Sequence, residues 1–231
     1  MRPITFSFPT ITQNEICATQ TTTATDQGLV INGSLSNFNL LNGQGYSPAA
    51  IAVGVQRPVA IFSTGNISTS TFTISGFDCR ATGLLTTSFI GPTGTATQTQ
   101  SSTEFNRVTA IRVGTLASIS FTVGFGASGS TNWVNLNKFQ NPFNVTLSIV
   151  TSTGVPITVQ DTPLDLNTTV PTAASTFNHT VLATITTSTQ SNYQMPVSYV
   201  RAICTATLNT AASALATSAP VITIIQAGSG A

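Results

Sequence analysis

His179 is the single histidine among 231 residues, so Ser-His-Asp or Cys-His nucleophilic chemistry would have to run through this one imidazole. It stands in STFNHTV beside Thr180. That polar-rich, strand-like setting predicts a hydrogen-bonded or solvent-facing residue, and one imidazole alone does not make a His-rich metal site. The carboxylates are Glu15, Asp26, Asp78, Glu104, Asp161 and Asp165. Glycoside hydrolysis requires two carboxylates about 5 to 10 Å apart across a cleft. Asp78 and Asp161, however, both stand at the ends of strand-like runs beside turn residues, where a short carboxylate is expected to cap backbone amides. The segment DTPLD, 161–165, lacks the spaced carboxylates and the glycine of a calcium loop.

Cys17, Cys79 and Cys204 are odd in number and widely separated, with no pair at a redox or metal-ligand spacing. They are expected to be reduced, mostly buried thiols, as in a protein folded in a reducing compartment. GFGASGS, 124–130, has the glycines of a phosphate loop but follows a β-rich stretch, leads into TNWVNL and lacks the Lys-Ser/Thr pair. It reads as a turn or interdomain linker. Trp133, the only tryptophan, is expected at the interface between the two halves of the chain. No residue is therefore assigned a catalytic, cofactor-binding or metal-ligating role, and the chain is read as not being an enzyme. A glycosidase built on two of the carboxylates is the enzymatic alternative.

The scaffold around these residues is unusual in composition. Only 6% of the residues are charged, against about 25% in an ordinary soluble domain, and Ser, Thr, Asn and Gln take their place. Such a surface has little self-repulsion and favours association with itself or with neighbours. The net charge of +1 and the scatter of seven basic residues give no electrostatic footprint for direct nucleic-acid binding and no polybasic membrane patch. The opening MRPITFSFPTITQNEIC has no basic region followed by a long apolar core, and no apolar run reaches the roughly 18 residues of a membrane helix. The expectation is a chain neither exported by a signal peptide nor membrane-spanning. Asn66-Ile-Ser68 and Asn144-Val-Thr146 are sequons of the kind that chance supplies in so Asn- and Thr-rich a chain.

Residues 1–27, with TQTTTATDQG, read as an extended N-terminal arm. Beyond them, β-branched and aromatic runs alternate with turn signals, predicting strands at 28–35, 50–55, 59–63, 71–77, 84–90, 108–113, 118–125, 133–136, 144–151, 156–160, 176–187, 198–208 and 220–226. In TFTISGF, alternation puts Phe72 and Ile74 on one face and Thr71, Thr73 and Ser75 on the other; Phe121 and Val123 repeat the device in SISFTVGF. One apolar face and one hydroxyl face define antiparallel sheets packed on one side. The Ala-rich stretch 207–219 reads as a small-residue loop.

A weak repeat relates QRPVAIFSTGNISTSTFTISGFD, from Gln56, to QNPFNVTLSIVTSTGVPITVQD, from Gln140, ending at Asp78 and Asp161. VTAIRVG and YVRAICT, then SISFTVGFG and PVITIIQAG, continue the correspondence. The fold class read from this is all-β: an antiparallel β-sandwich, jelly-roll-like, in two tandem units at 28–128 and 129–231 after the arm. A single jelly roll is the competing architecture.

The runs PVAIFSTGNISTSTFTISGFD, GPTGTATQTQSSTEFNRVTAIRVG, TNWVNL with NPFNVTL, and VITIIQAG resemble a group of virion structural proteins from tailed bacteriophages, over about residues 55–231. The resemblance implies a virion component assembled in the host bacterial cytoplasm. A capsid cement or decoration protein is the expected role: it would bridge the major capsid protein or other virion subunits, act as a homo-oligomer and draw its strength from many copies. A neck, tail or fibre-base protein is the alternative within that class. A carbohydrate-binding sandwich for host attachment, with Trp133, Tyr193 or Tyr199 as stacking platforms, is the alternative outside it.

Overall fold

The computed structural model describes residues 3–10, 12–22, 24–36, 48–52, 54–80, 83–94, 97–114, 119–139, 143–151, 155–167, 169–193, 195–205 and 220–226. The loop expected at 207–219 lies outside them. The described residues hold eighteen strands, no α-helix and a single 3-10 turn, Ala173–Ser175. The strand pairs are antiparallel, and the all-β, open-sheet architecture is that of a β-sandwich. The described residues divide into two compact units, one of 10–129 and one of 3–9 with 130–205 and 220–226.

In the first of these units, one sheet runs in the order β3 (Gln27–Gly28), β9 (Arg107–Val113), β6 (Thr71–Phe77) and β7 (Leu85–Ile90), with β4 (Ala49–Ala50) also on β9. The other sheet-forming strands are β2 (Cys17–Gln20), β10 (Phe121–Phe125), β5 (Val55–Ser63) and β8 (Thr97–Phe105), where β5 lies between β10 and β8. Strand alternation does the sorting. Phe72 and Ile74 are fully buried, while Thr73 and Ser75 turn outward and meet Ser88 and Thr86 of β7 through their hydroxyls at 2.8 and 3.3 Å. Phe72 packs edge-to-face on Phe121, ring centroids 5.3 Å apart at 81°, joining the inner faces. Fully buried Ile61, Phe105, Val108 and Val113 complete this core. Gly76 sits at a bulge in the β6–β9 pairing, where a Cβ would collide with the Arg107 carbonyl oxygen, so the close approach of the two backbones requires glycine.

The chain passes between units at β11 (Gly129–Thr131). The other unit has a four-stranded sheet in the order β1 (Ile4–Ser7), β18 (Val221–Gln226), β13 (Val145–Val150) and β16 (Thr189–Tyr193). Its remaining strands include β14 (Ile157–Thr162) between β15 (Phe177–Asn178) and β17 (Tyr199–Cys204), with β12 (Val134–Asn135) on β17. Val145, Leu147, Ile149, Ile222 and Ile224 on the first sheet, and Ile157, Val159, Val200, Ala202 and Cys204 on the second, form the buried core.

Strands β1 and β2 come from the segment read as an arm: Ile4–Ser7 pairs with β18 and Cys17–Gln20 with β10. The strand expected at 176–187 is a correction. Only Phe177–Asn178 pair as a strand, because the His179 side chain takes the amides of Val181 and Leu182 at 3.1 and 3.2 Å and bends the chain. Thr184, at φ 58°, continues the turn in the left-handed region. Strands β8 and β16 arise where the sequence predicted none.

Candidate functional site

Asp161, His179 and Tyr193 come together inside the second unit described, on and beside β14, β15 and β16. Asp161 is within β14, and its Oδ1 accepts the Tyr193 hydroxyl of β16 at 2.9 Å. This corrects the turn-capping role expected for Asp161. Asp78 does have that role: its Oδ1 accepts the amide of Arg80 at 2.9 Å. The two acids thus occupy corresponding sequence positions but perform different tasks.

His179 follows β15 and is buried, its ring 4.6 Å from that of Tyr193 at 76°. Its Nδ1 accepts two backbone N–H groups, and Nε2 faces the Asn192 carbonyl oxygen at 3.4 Å. Both ring nitrogens are occupied by backbone partners. The arrangement orients a turn rather than activating a nucleophile, and Asp161 bonds the phenol instead of the imidazole. Burial pushes the Asp161 carboxyl above the usual carboxylate range, against the lowering by the Tyr193 hydrogen bond and by His179. Burial likewise raises the Tyr193 phenol, with Asp161 adding to the shift.

Glu15, unlike the half-buried Asp161, is buried. Its two carboxylate oxygens accept the amides of Thr12, at 2.9 Å, and Phe125, at 3.3 Å, tying the chain before β2 to the end of β10. Desolvation pushes its pKa up to about 7, despite these two amides and the positive charge of Arg57. Arg57 is itself buried and donates to the carbonyl oxygens of Gly126 and Ala127 at 3.0 and 3.2 Å. That gives GFGASGS a structural part as the acceptor loop of a buried guanidinium. Asp26 and Arg112 form an exposed ion pair at 2.9 Å, worth about 0 to 1 kcal/mol.

The three cysteines are free thiols; Cys17 and Cys204 are buried and Cys79 is half-buried. Burial pushes Cys17 and Cys79 up to about 12, a range in which the nucleophilic thiolate is scarce at neutral pH. Among the described residues, no group of three or more His, Cys, Asp or Glu comes together in a metal-binding cluster. Trp133 is half-buried, with the Arg201 guanidinium 4.6 Å over its ring, and Arg201 is held by two bonds to Gln160 Oε1 at 3.2 and 2.9 Å.

The sheet edges are more telling than the titratable groups. Strands β1 and β16 terminate one sheet and β7 another. Their sequences, ITFS, TQSNY and LTTSFI, contain no charged residue and no proline. Proteins that remain monomeric usually guard such edges with lysine, proline or a bulge. The sequence reading identified the hydroxyl-rich faces but not the edges, since strand order depends on pairing between distant segments.

No family model matches the chain, and neither a curated protein nor a solved structure matches it significantly.

Proposed function

We propose that the chain is a structural component of a tailed-bacteriophage particle, a cement or decoration protein that bridges shell subunits. The observation that carries this reading is the uncharged, proline-free composition of the edge strands β1, β7 and β16. Strand addition at such an edge supplies main-chain hydrogen bonds without special side chains and suits a repetitive, mostly neutral lattice. The sparse charge of the whole chain, 6%, lowers the repulsion between closely spaced copies. Many weak contacts then act together.

The test is quantitative mass spectrometry of purified particles, together with a reconstruction of the intact particle. A shell protein is expected in hundreds of copies, with density on the capsid lattice. A dozen copies or fewer, on the tail axis, would make it a neck, tail or fibre-base protein, and absence from particles would overturn the virion reading.

A further inference from the structure

Three aromatic side chains were candidates for stacking on a ligand, and the structure separates them. Tyr193 is buried and bonded to Asp161. Trp133 has Arg201 over its ring and is not among the residues that line the cleft containing Tyr199. Tyr199 remains, half-buried on the wall of a cleft of about 380 Å³, near the lower end of the roughly 300 to 1,000 Å³ of small-ligand sites. The same cleft is lined by a second aromatic ring that composition alone did not single out: Phe139, 86% exposed.

Phe139 is held in place. Gln226, 2% exposed, grips the backbone of Asn137 at both ends: its Oε1 accepts the Asn137 amide at 2.9 Å and its Nε2 donates to the Asn137 carbonyl oxygen at 2.8 Å. The Asn137 side chain in turn accepts the Phe139 amide at 3.2 Å, closing a turn. The adjoining wall is joined on by Leu136, whose amide donates to the Ser198 carbonyl oxygen at 2.9 Å. The lining also includes Asp165, with Tyr199 Oη 3.5 Å from its Oδ1, and Lys138, whose ammonium lies over the Phe139 ring, 5.6 Å from its centre. The lining therefore combines one carboxylate, one ammonium and amides with two aromatic rings, one of them the Tyr199 phenol.

We infer that this cleft binds a neutral saccharide of one or two pyranose rings, with Phe139 as the stacking platform and Asp165, Lys138 and Tyr199 as partners for its hydroxyls. A pyranose offers an apolar C–H face and a rim of hydroxyls that both donate and accept. An aromatic ring beside mixed donors and acceptors complements both parts. The single positive and single negative side chain offset each other, favouring a neutral ligand over an acidic one. A protein partner would instead be expected to cover a contiguous apolar patch, whereas the cleft lining mixes Leu136, Leu164 and Phe139 with Asn137, Lys138 and Asp165. The preset turn reduces the ordering cost of binding. A site this open gives weak affinity per copy, which repetition on an assembly would amplify. The inference does not depend on where the chain sits in a particle.

The experiment is binding of the full chain to an array of neutral and acidic oligosaccharides, followed by titration of the best neutral binder against Phe139→Ala and Asp165→Asn. Both substitutions are expected to weaken binding about tenfold or more, with the melting temperature of Phe139→Ala unchanged because its ring is exposed. No binding to any neutral saccharide, or binding that survives Phe139→Ala, overturns the inference. If Phe139→Ala instead impairs incorporation into particles and no saccharide binds, the cleft is a protein contact and the virion role stands without the sugar site. Saccharide binding by a chain absent from particles leaves the cleft assignment intact and removes the virion role.

Discussion

The Tyr193 hydroxyl donates to Asp161 Oδ1 at 2.9 Å and joins β16 to β14 within one unit. Tyr193 is 9% exposed, so the donor has little water to turn to, and its removal leaves the half-buried Asp161 carboxylate with one partner fewer. Tyr193→Phe is expected to lower unfolding free energy by about 1 to 3 kcal/mol. Urea denaturation checks this, and a loss below about 0.5 kcal/mol would show that the bond contributes nothing net.

Glu15 gives a pH dependence with a definite sign. Its folded pKa, about 7, lies above the ordinary value of 4.5, so the folded state binds the proton more tightly than the unfolded chain. The corresponding stability is fully present below pH 4.5 and is lost as pH rises through about 7. The loss is of order 3 kcal/mol, from about 1.4 kcal/mol per pKa unit. Glu15→Gln cannot ionise. It is expected to carry a constant offset, since one of the two amides at Thr12 and Phe125 then meets an NH₂ group, but to lack the fall between pH 5 and 7. Parallel pH-dependent profiles for the two proteins would refute the assignment.

Strand existence was legible where alternation was strong. Thr71–Phe77 shows the apolar and polar faces that TFTISGF announces, and Val221–Gln226 is a strand within the run 220–226 expected from its β-branched residues. Strand β8, TQTQSSTEF, was not, because its formation depends on six residue pairs with β5 and not on an apolar period of its own. The stretch 176–187 has strand-forming composition, but His179 captures the amides of Val181 and Leu182 and local composition loses to a side-chain bond. The cleft around Phe139 was least legible. Its turn is held by Gln226, 89 residues away in sequence, and no local pattern marks that partnership.

If the uncharged edges mediate association, a single positive charge should interrupt it. Asn192 is an exposed residue of β16, and Asn192→Lys would place an ammonium on the open edge, the device that natural edge strands use against pairing. The expected result is weaker self-association and poorer incorporation into particles, with stability changed by no more than about 0.5 kcal/mol. Sedimentation velocity at several concentrations checks the first effect and urea denaturation the second. Unchanged association would exclude β16 as the pairing edge and direct the same substitution to Ser88 of β7.

His179 is the sharpest test of whether the lone imidazole is structural. Its Nδ1 accepts the amides of Val181 and Leu182, and its ring packs on Tyr193. His179→Ala removes the acceptor and the ring together and is expected to cost about 1 to 3 kcal/mol from unsatisfied amides, with the lost packing added. His179→Asn supplies a side-chain carbonyl that can accept the amide two residues ahead, as Asn does in turns, and should recover part of the loss without restoring the ring. The expected order of stability is wild type, then His179→Asn, then His179→Ala. A structural acceptor predicts that order, because the asparagine oxygen replaces the hydrogen bond while its side chain has none of the chemistry of an imidazole. If the asparagine and alanine proteins were equally destabilised, ring packing against Tyr193 would carry the contribution, and the bend after β15 would be held by its backbone alone.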